Sequence, residues 1–421
     1  MSTSELSAAF FIAVVAILVV CRAVSWLVKL IGQPPVVGEM VAGVVLGPSV
    51  LGLLAPGVED ALFPKDLRPV LYVVGQVGLV TFMFFTGYEF KTERIRSVAR
   101  PAAFISSGGI LVPMLLGIGI TWFAFGKVDV FPAHVSLLVS TLFVGVTLSI
   151  TAFPMLARII IERDLTNTPF GSISLASGAL DDAVAWVLLA GVMSIAAASG
   201  GPIALAVGGA AVFSVLLIVV VRWRDPLARL SSRVPADQLV LIVVVALLVA
   251  AWYTDTIGLY AVFGAFSLGV VFPRTPEVDG AVKRLTPISA VFLPLFFTYS
   301  GLNTDFGLLF HPALMIFAFV CLVAAIVGKF GACWFAARLA GEKPAIALRV
   351  GTLMNARGLM QLIAINLGLA AGIVTKSMFS VLVIVALVTT LMATPLLTLW
   401  DRLDRRRQRK TAAQAAVGVG S

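Results

Sequence analysis

The residues of this chain best placed to do chemistry are two adjacent carboxylates, Asp181 and Asp182. They stand in the run Ser177-Gly178-Ala179-Leu180-Asp181-Asp182-Ala183-Val184-Ala185-Trp186, about ten residues into a long apolar block. Placing a charge at a bilayer centre costs roughly 2.5–3.5 kcal/mol on insertion scales, so such residues are retained for function by default. Neighbours on a helix point about a hundred degrees apart, so the two carboxylates leave on different faces. One can face a water-filled cavity while the other faces a helix carrying Lys329. Close carboxylates in a low dielectric resist joint ionisation and titrate as a coupled pair. That behaviour suits a proton-coupled carrier. A solvent-capped helix end or a purely structural ion pair is the plainer alternative, and the depth of the pair in its block speaks against it.

Few other charges lie deep in apolar sequence. Lys329 is expected to pair with a carboxylate, in a structural or a coupling role. Arg357 is expected to satisfy unwound backbone carbonyls, and Glu39 is read as a structural charge. Arg22 and Lys29 lie near a span end, where long side chains reach the interface.

Two apolar blocks carry polar and helix-breaking runs at mid-depth. One reads Gly145-Val146-Thr147-Leu148-Ser149-Ile150-Thr151-Ala152-Phe153-Pro154, the other Gly351-Thr352-Leu353-Met354-Asn355-Ala356-Arg357-Gly358. Proline removes a backbone donor and glycine loosens a helix; within a bilayer such breaks survive only where protein or water covers the freed backbone. A small hard cation stripped of water needs oxygen ligands. Asp182, freed carbonyls and the hydroxyls of Thr147 and Thr151 can supply them, with Ser149, Asn355 and Arg357 as further ligands or supports.

The elements that position these residues are membrane helices. Of 421 residues 60% are hydrophobic and 12% charged, about half the charge of a soluble domain. The apolar residues come in blocks of helix-spanning length, without the alternation of an outer-membrane barrel. Thirteen spans are predicted, at about 6–30, 34–52, 70–88, 101–125, 137–160, 171–198, 202–221, 239–254, 256–273, 286–305, 313–339, 347–371 and 377–400. The first block is too long for a signal peptide core and lacks a basic n-region. The broken spans are the fifth and twelfth. An odd offset of seven runs them in opposite directions, the mark of inverted repeats with a substrate site at the midplane.

The net charge of +9 is a matter of orientation rather than of nucleic acid. With the tail Asp401–Arg407 taken as cytoplasmic, 22 of the 30 Lys and Arg fall on its side, among them the clusters Lys91–Arg100 and Arg222–Arg233. Only Lys65, Arg68, Lys127 and Lys376 fall outside, and Arg22, Lys29, Lys329 and Arg357 lie in spans. This bias puts the N-terminus outside and the C-terminus inside a cell membrane. Residues 1–400 are thus expected to form one transmembrane domain. Residues 401–421 form a basic tail with its arginines against anionic headgroups and a disordered end. Cys21, Cys321 and Cys333 lie in apolar segments and His134 and His311 in predicted loops, so no disulfide or Cys/His metal site is expected.

At these motifs the chain resembles the second subfamily of monovalent cation:proton antiporters, which includes Kef-type potassium efflux proteins, bacterial Na+/H+ antiporters and plant cation/H+ exchangers. The resemblance rests on Gly38-Glu39-Met40-Val41-Ala42-Gly43-Val44-Val45-Leu46-Gly47-Pro48, Ser149–Arg158, the Asp181-Asp182 run, Leu293–Phe297 through Ser300–Leu302, and Asn355-Ala356-Arg357-Gly358. It implies an all-α antiporter fold in a homodimer, with a core domain moving against a dimer-forming domain. It implies that Asp182 carries the cation (Na+ or K+) and protons, and that Asp181 pairs with Lys329 until the cation binds. Two aspartates favour Na+. Gln361 stands where the subfamily usually has glutamate, which puts a second ion pair there in doubt. Control by a regulatory domain of the Kef type is not expected within this chain.

The expected function is therefore exchange of a monovalent cation for H+ by alternating access, without cofactor and without enzymatic catalysis. A sodium-coupled organic anion symporter would need a wider pocket with anion-facing donors, for which Arg357 is the sole candidate. A membrane sensor without transport is the other alternative. A passive channel is disfavoured because the charges form one cluster rather than rings along a pore.

Overall fold

The computed structural model describes residues 1–89, 98–196 and 200–418. Residues 91–97 of the expected basic cluster Lys91–Arg100 lie outside the described residues. Every regular element among the described residues is a helix. The long ones are α1 (Thr3–Leu30), α4 (Arg68–Glu89), α5 (Ala99–Ala124), α8 (Pro169–Ala196), α11 (Ala236–Thr256), α13 (Pro276–Leu302), α14 (Pro312–Leu339) and α17 (Lys376–Gly418). Between them lie α2 (Pro35–Leu46), α3 (Pro56–Leu62), α6 (Leu137–Ser149), α7 (Phe153–Glu162), α9 (Gly200–Arg222), α10 (Arg224–Ser231), α12 (Ala261–Val271), α15 (Pro344–Met354) and α16 (Leu359–Ala370). The punctuation is chemical: Ser2 closes a capping box with Glu5, and prolines open α2, α14 and α15 where a missing amide costs nothing.

Among the described residues, eight helices are long and apolar enough to cross a bilayer, and the bent pair Val207–Arg222 and Arg224–Ser231 can count as a ninth. The other expected spans are the shorter apolar helices Pro35–Leu46 and Ala261–Val271 and the two broken spans. Length and hydropathy alone therefore do not reach thirteen. The backbone of 401–418, expected to be a basic tail with a disordered end, continues α17 as helix to Gly418. Its Ala, Arg, Lys and Gln content has high helix propensity.

The helices sort into two bundles. One contains α1, α2, α4, α11, α12 and α13; the other contains α5, α6, α7, α8, α14, α15, α16 and α17. Helix α9 touches α8 of one and α11 and α12 of the other. Each bundle is built from two similar triplets. In the first, a short helix lies between two long ones, as α1–α2–α4 and as α11–α12–α13. In the second, a broken helix lies between two long ones, as α5–α6/α7–α8 and as α14–α15/α16–α17. In the first bundle α2 and α13 meet backbone to backbone: a Cβ on Gly301 would overlap the Gly43 carbonyl. Small residues permit such close approach between membrane helices, which have no hydrophobic drive to associate.

A candidate ion-binding site at two crossed half-helices

In the second bundle the fifth span stops at Ser149 and resumes at Phe153, and the twelfth stops at Met354 and resumes at Leu359. Gly358 turns the second break with φ of 139°, a conformation open to glycine. The two breaks are joined directly. The Ala152 amide donates to the Ala356 carbonyl at 3.2 Å, and the Thr151 hydroxyl lies 3.3 Å from the Met354 carbonyl. Two helix C-termini, of α6 and α15, and two N-termini, of α7 and α16, therefore converge near one point. Partial charges of both signs collect there.

Side chains answer both signs. Lys329, fully buried on α14, donates to the Ser149 carbonyl at the end of α6 at 2.5 Å and to the Gly109 carbonyl on α5 at 2.8 Å. Its third bond, at 2.7 Å, goes to Asp181 Oδ2, which is also fully buried. All three ammonium hydrogens are thus directed to acceptors. The Thr151 hydroxyl donates to the same Asp181 oxygen at 2.6 Å. Gly109 is part of this geometry, because a Cβ there would sit 2.6 Å from Cys333 Sγ and 3.6 Å from Lys329 Nζ.

Asp182 has a different environment. It is 3% exposed, and neither carboxylate oxygen has a well-formed hydrogen bond. The backbone amide of Phe153, at the positive end of α7, interacts with it at poorer geometry. Lys329 acts on Asp182 only through space, since its three bonds are taken by Asp181 and carbonyls. One carboxylate has an oxygen shared by Lys329 and Thr151, while its neighbour has neither oxygen bonded. Burying such a group is costly unless a cation or proton joins it.

The other sequence candidates divide. Thr151 and the Ser149 carbonyl belong to the cluster, while the Ser149 hydroxyl turns back to Val146 at 2.7 Å. Thr147 lies within α6, its hydroxyl bonded to the Phe143 and Val144 carbonyls at 2.9 and 3.0 Å. Asn355 caps α15, with its amide nitrogen 3.7 Å from Met392 Sδ and its oxygen without a partner. Arg357 does not serve the breaks with its guanidinium. That group bonds the Ala325 carbonyl of continuous α14 at 3.0 Å and leaves Nε and one terminal nitrogen unpaired. The Arg357 carbonyl, within the second break, accepts from the Thr390 hydroxyl of α17. Gln361 is fully buried with neither amide atom bonded. Glu39 on α2 feels the charge of Arg158 on α7 across the two bundles.

Several participants have no side-chain signature. The Gly109, Met354 and Ala356 carbonyls and the Phe153 amide are backbone groups, and only the tertiary fold identifies them. Gln33 Nε2, which reaches the Leu391 carbonyl of α17 at 2.6 Å, and Asn366, which bonds Ser300 at 2.8 Å, also tie one bundle to the other.

Known proteins share this plan. A family profile described as "Sodium/hydrogen exchanger, transmembrane" matches residues 11–400. The Na(+)/H(+) antiporter NhaS4 of Synechocystis is 34% identical over 91% of this chain and 95% of its own length. The K(+)/H(+) antiporter 1 of Saccharomyces cerevisiae is 31% identical over 90% of this chain. The chain spans 45% of that yeast protein, and about half the length of the plant cation/H(+) antiporters it also matches. The solved structure of the sodium proton antiporter MjNhaP1 from Methanocaldococcus jannaschii superposes with a TM-score of 0.66, covering 94% of this chain and 97% of that one at 14% identity, a likeness of fold. With a profile match over nearly its whole length, the chain belongs to the sodium/hydrogen exchanger family.

Proposed function

We propose that this antiporter carries its cation and its protons on Asp182, by alternating access between the two faces of the membrane. The observation behind this reading is the contrast within one dipeptide. Asp181 is held by Lys329 and Thr151, whereas both oxygens of Asp182 lack a full hydrogen-bond partner. A dehydrated monovalent cation takes carboxylate, hydroxyl and carbonyl oxygens, and the crossed breaks bring such groups to one place. Protons and cation compete for one negative charge, so only one passes in each direction. Asp181 and Lys329 set the coupling: a cation near the pair weakens their attraction and frees a second proton-binding group.

Everted membrane vesicles test this. Adding cation dissipates a preformed proton gradient in the wild type, and Asp182→Asn abolishes the response. Retention of full exchange by that variant would overturn the carrier role. Asp181→Asn is expected to keep transport but change its stoichiometry or cation affinity. The apparent cation affinity of the wild type falls on acidification, because protons occupy the same carboxylate.

The transported ion is read as Na+, with K+ as the alternative. The paired aspartates and the 34% identical Na(+)/H(+) antiporter support Na+, and the yeast K(+)/H(+) antiporter supports K+. Currents on solid-supported membranes with Na+, K+ and Li+ at two pH values separate the two. Family membership favours antiport over an organic anion symporter or a silent sensor. We also take residues 1–400 as the transporting domain of a homodimer in the cell membrane, N-terminus outside and C-terminus cytoplasmic. The bias of 22 basic residues to 4 supports that orientation.

A further inference from the structure

Three separate contacts tie the end of α17 to the elements that carry the breaks. Thr398 accepts a hydrogen bond from Arg163, the C-cap of α7, at 2.8 Å. The Trp400 indole donates to Thr352 of α15 at 2.9 Å. One turn on, Asp401 and Asp404 both grip Arg349 of α15, each at 2.8 Å. The Arg349 guanidinium also lies over the ring of Phe170, in the first turn of the helix that carries Asp181 and Asp182. Its side chain is 12% exposed, so this is a partly desolvated clamp rather than a loose surface pair.

Immediately beyond comes the densest positive charge of the chain. Arg402, Arg405, Arg406, Arg407, Arg409 and Lys410 fall within ten residues of one continuous helix. The two acids of that stretch, Asp401 and Asp404, are already committed to Arg349. The apolar stretch of α17 able to cross a membrane lies within Lys376–Asp404, so in sequence these basic residues directly adjoin a span. A basic segment adjoining a membrane span is attracted to anionic lipid, each charge adding to the attraction within a Debye length.

We propose that the basic extension of α17 is a docking surface for anionic lipid headgroups, and that the Arg349–Asp401–Asp404 clamp passes this docking to α15. Lipid charge thereby acts on a half-helix that frames the ion site, from the face of the membrane where α17 ends. The inference does not depend on which carboxylate carries the ion.

The full-length protein carrying Ala412→Cys provides the test. Its native cysteines are buried, so one fluorophore labels the extension selectively. In vesicles of phosphatidylcholine with added phosphatidylglycerol, quenching by a headgroup-labelled lipid is expected to exceed severalfold that in phosphatidylcholine alone, and to fall at high salt. The variant R405A/R406A/R407A/R409A should lose this gain. The same anionic lipid should shift the exchange rate of the wild type severalfold. D401N/D404N should keep the quenching and lose the shift. Equal quenching of the wild type in both vesicle types would overturn the docking surface, and an undiminished rate shift in D401N/D404N would overturn the transmission. Asp182→Asn reads out separately: it stops exchange but leaves the quenching as in the wild type.

Discussion

The two bundles are held together by opposite means. In the first, α2 and α13 meet through Gly43 and Gly301, and the contact is backbone against backbone. In the second, α5, α6, α8 and α14 converge on a buried ammonium, a buried carboxylate and the carbonyls around them. The first contact is made by backbone alone and contains no ionisable group. The second holds one carboxylate tied to an ammonium and one with neither oxygen bonded, so its balance depends on what else binds. A moving transporter needs both: an inert frame, and a partner whose favoured position changes with its ligand.

Stability measurements on single variants can break or sharpen this comparison. The largest effect is expected from Lys329→Ala, which leaves Asp181 buried without its counter-charge and costs about 3–5 kcal/mol. Thermal unfolding in detergent, followed by size-exclusion chromatography, reads this as a drop in Tm. A Tm equal to wild type would mean that the ion pair does not hold the second bundle. Next is Gly301→Ala in the first bundle. The added methyl must push α13 from α2, for about 1–3 kcal/mol. The same melting assay reports it, and exchange in the surviving fraction should be spared. Thr151→Val removes one hydrogen bond to Asp181 and should cost about 1 kcal/mol, with a change in cation affinity measured by proton flux. The smallest stability effect belongs to Asp182→Asn. It exchanges a poorly solvated charge for a neutral amide of the same shape, so its Tm should match or exceed that of the wild type while exchange is lost. A large destabilisation by this variant would place Asp182 among the structural charges instead.

Much of the site was legible along the chain. Asp181, Asp182 and Lys329 stand out because charge is costly in apolar helix, and both breaks stand out because Pro154 and Gly358 interrupt otherwise continuous blocks. The repeat was half legible. The offset of seven between the broken spans can be counted, but the matching short helices α2 and α12 emerge only when element lengths are set side by side. In the basic tail, an Arg-rich and Ala-rich stretch serves equally as disordered polymer or as helix, and the backbone as far as Gly418 continues α17. Arg357 was assigned by residue type to the freed carbonyls of a break; packing instead turned its guanidinium to α14.

Taken alone, the sequence determined that this is a polytopic helical membrane protein, which charges lie deep in it, and where two spans must break. Those are local properties, set by the cost of moving each side chain or unpaired backbone group from water into hydrocarbon. Only the tertiary structure decided how the adjacent carboxylates differ. Lys329 comes from a helix 148 positions further along the chain, and it bonds Asp181 and not Asp182. The acceptors that complete that bond, at Gly109 and Ser149, are backbone carbonyls identical in kind to every other in the chain, and position alone selects them.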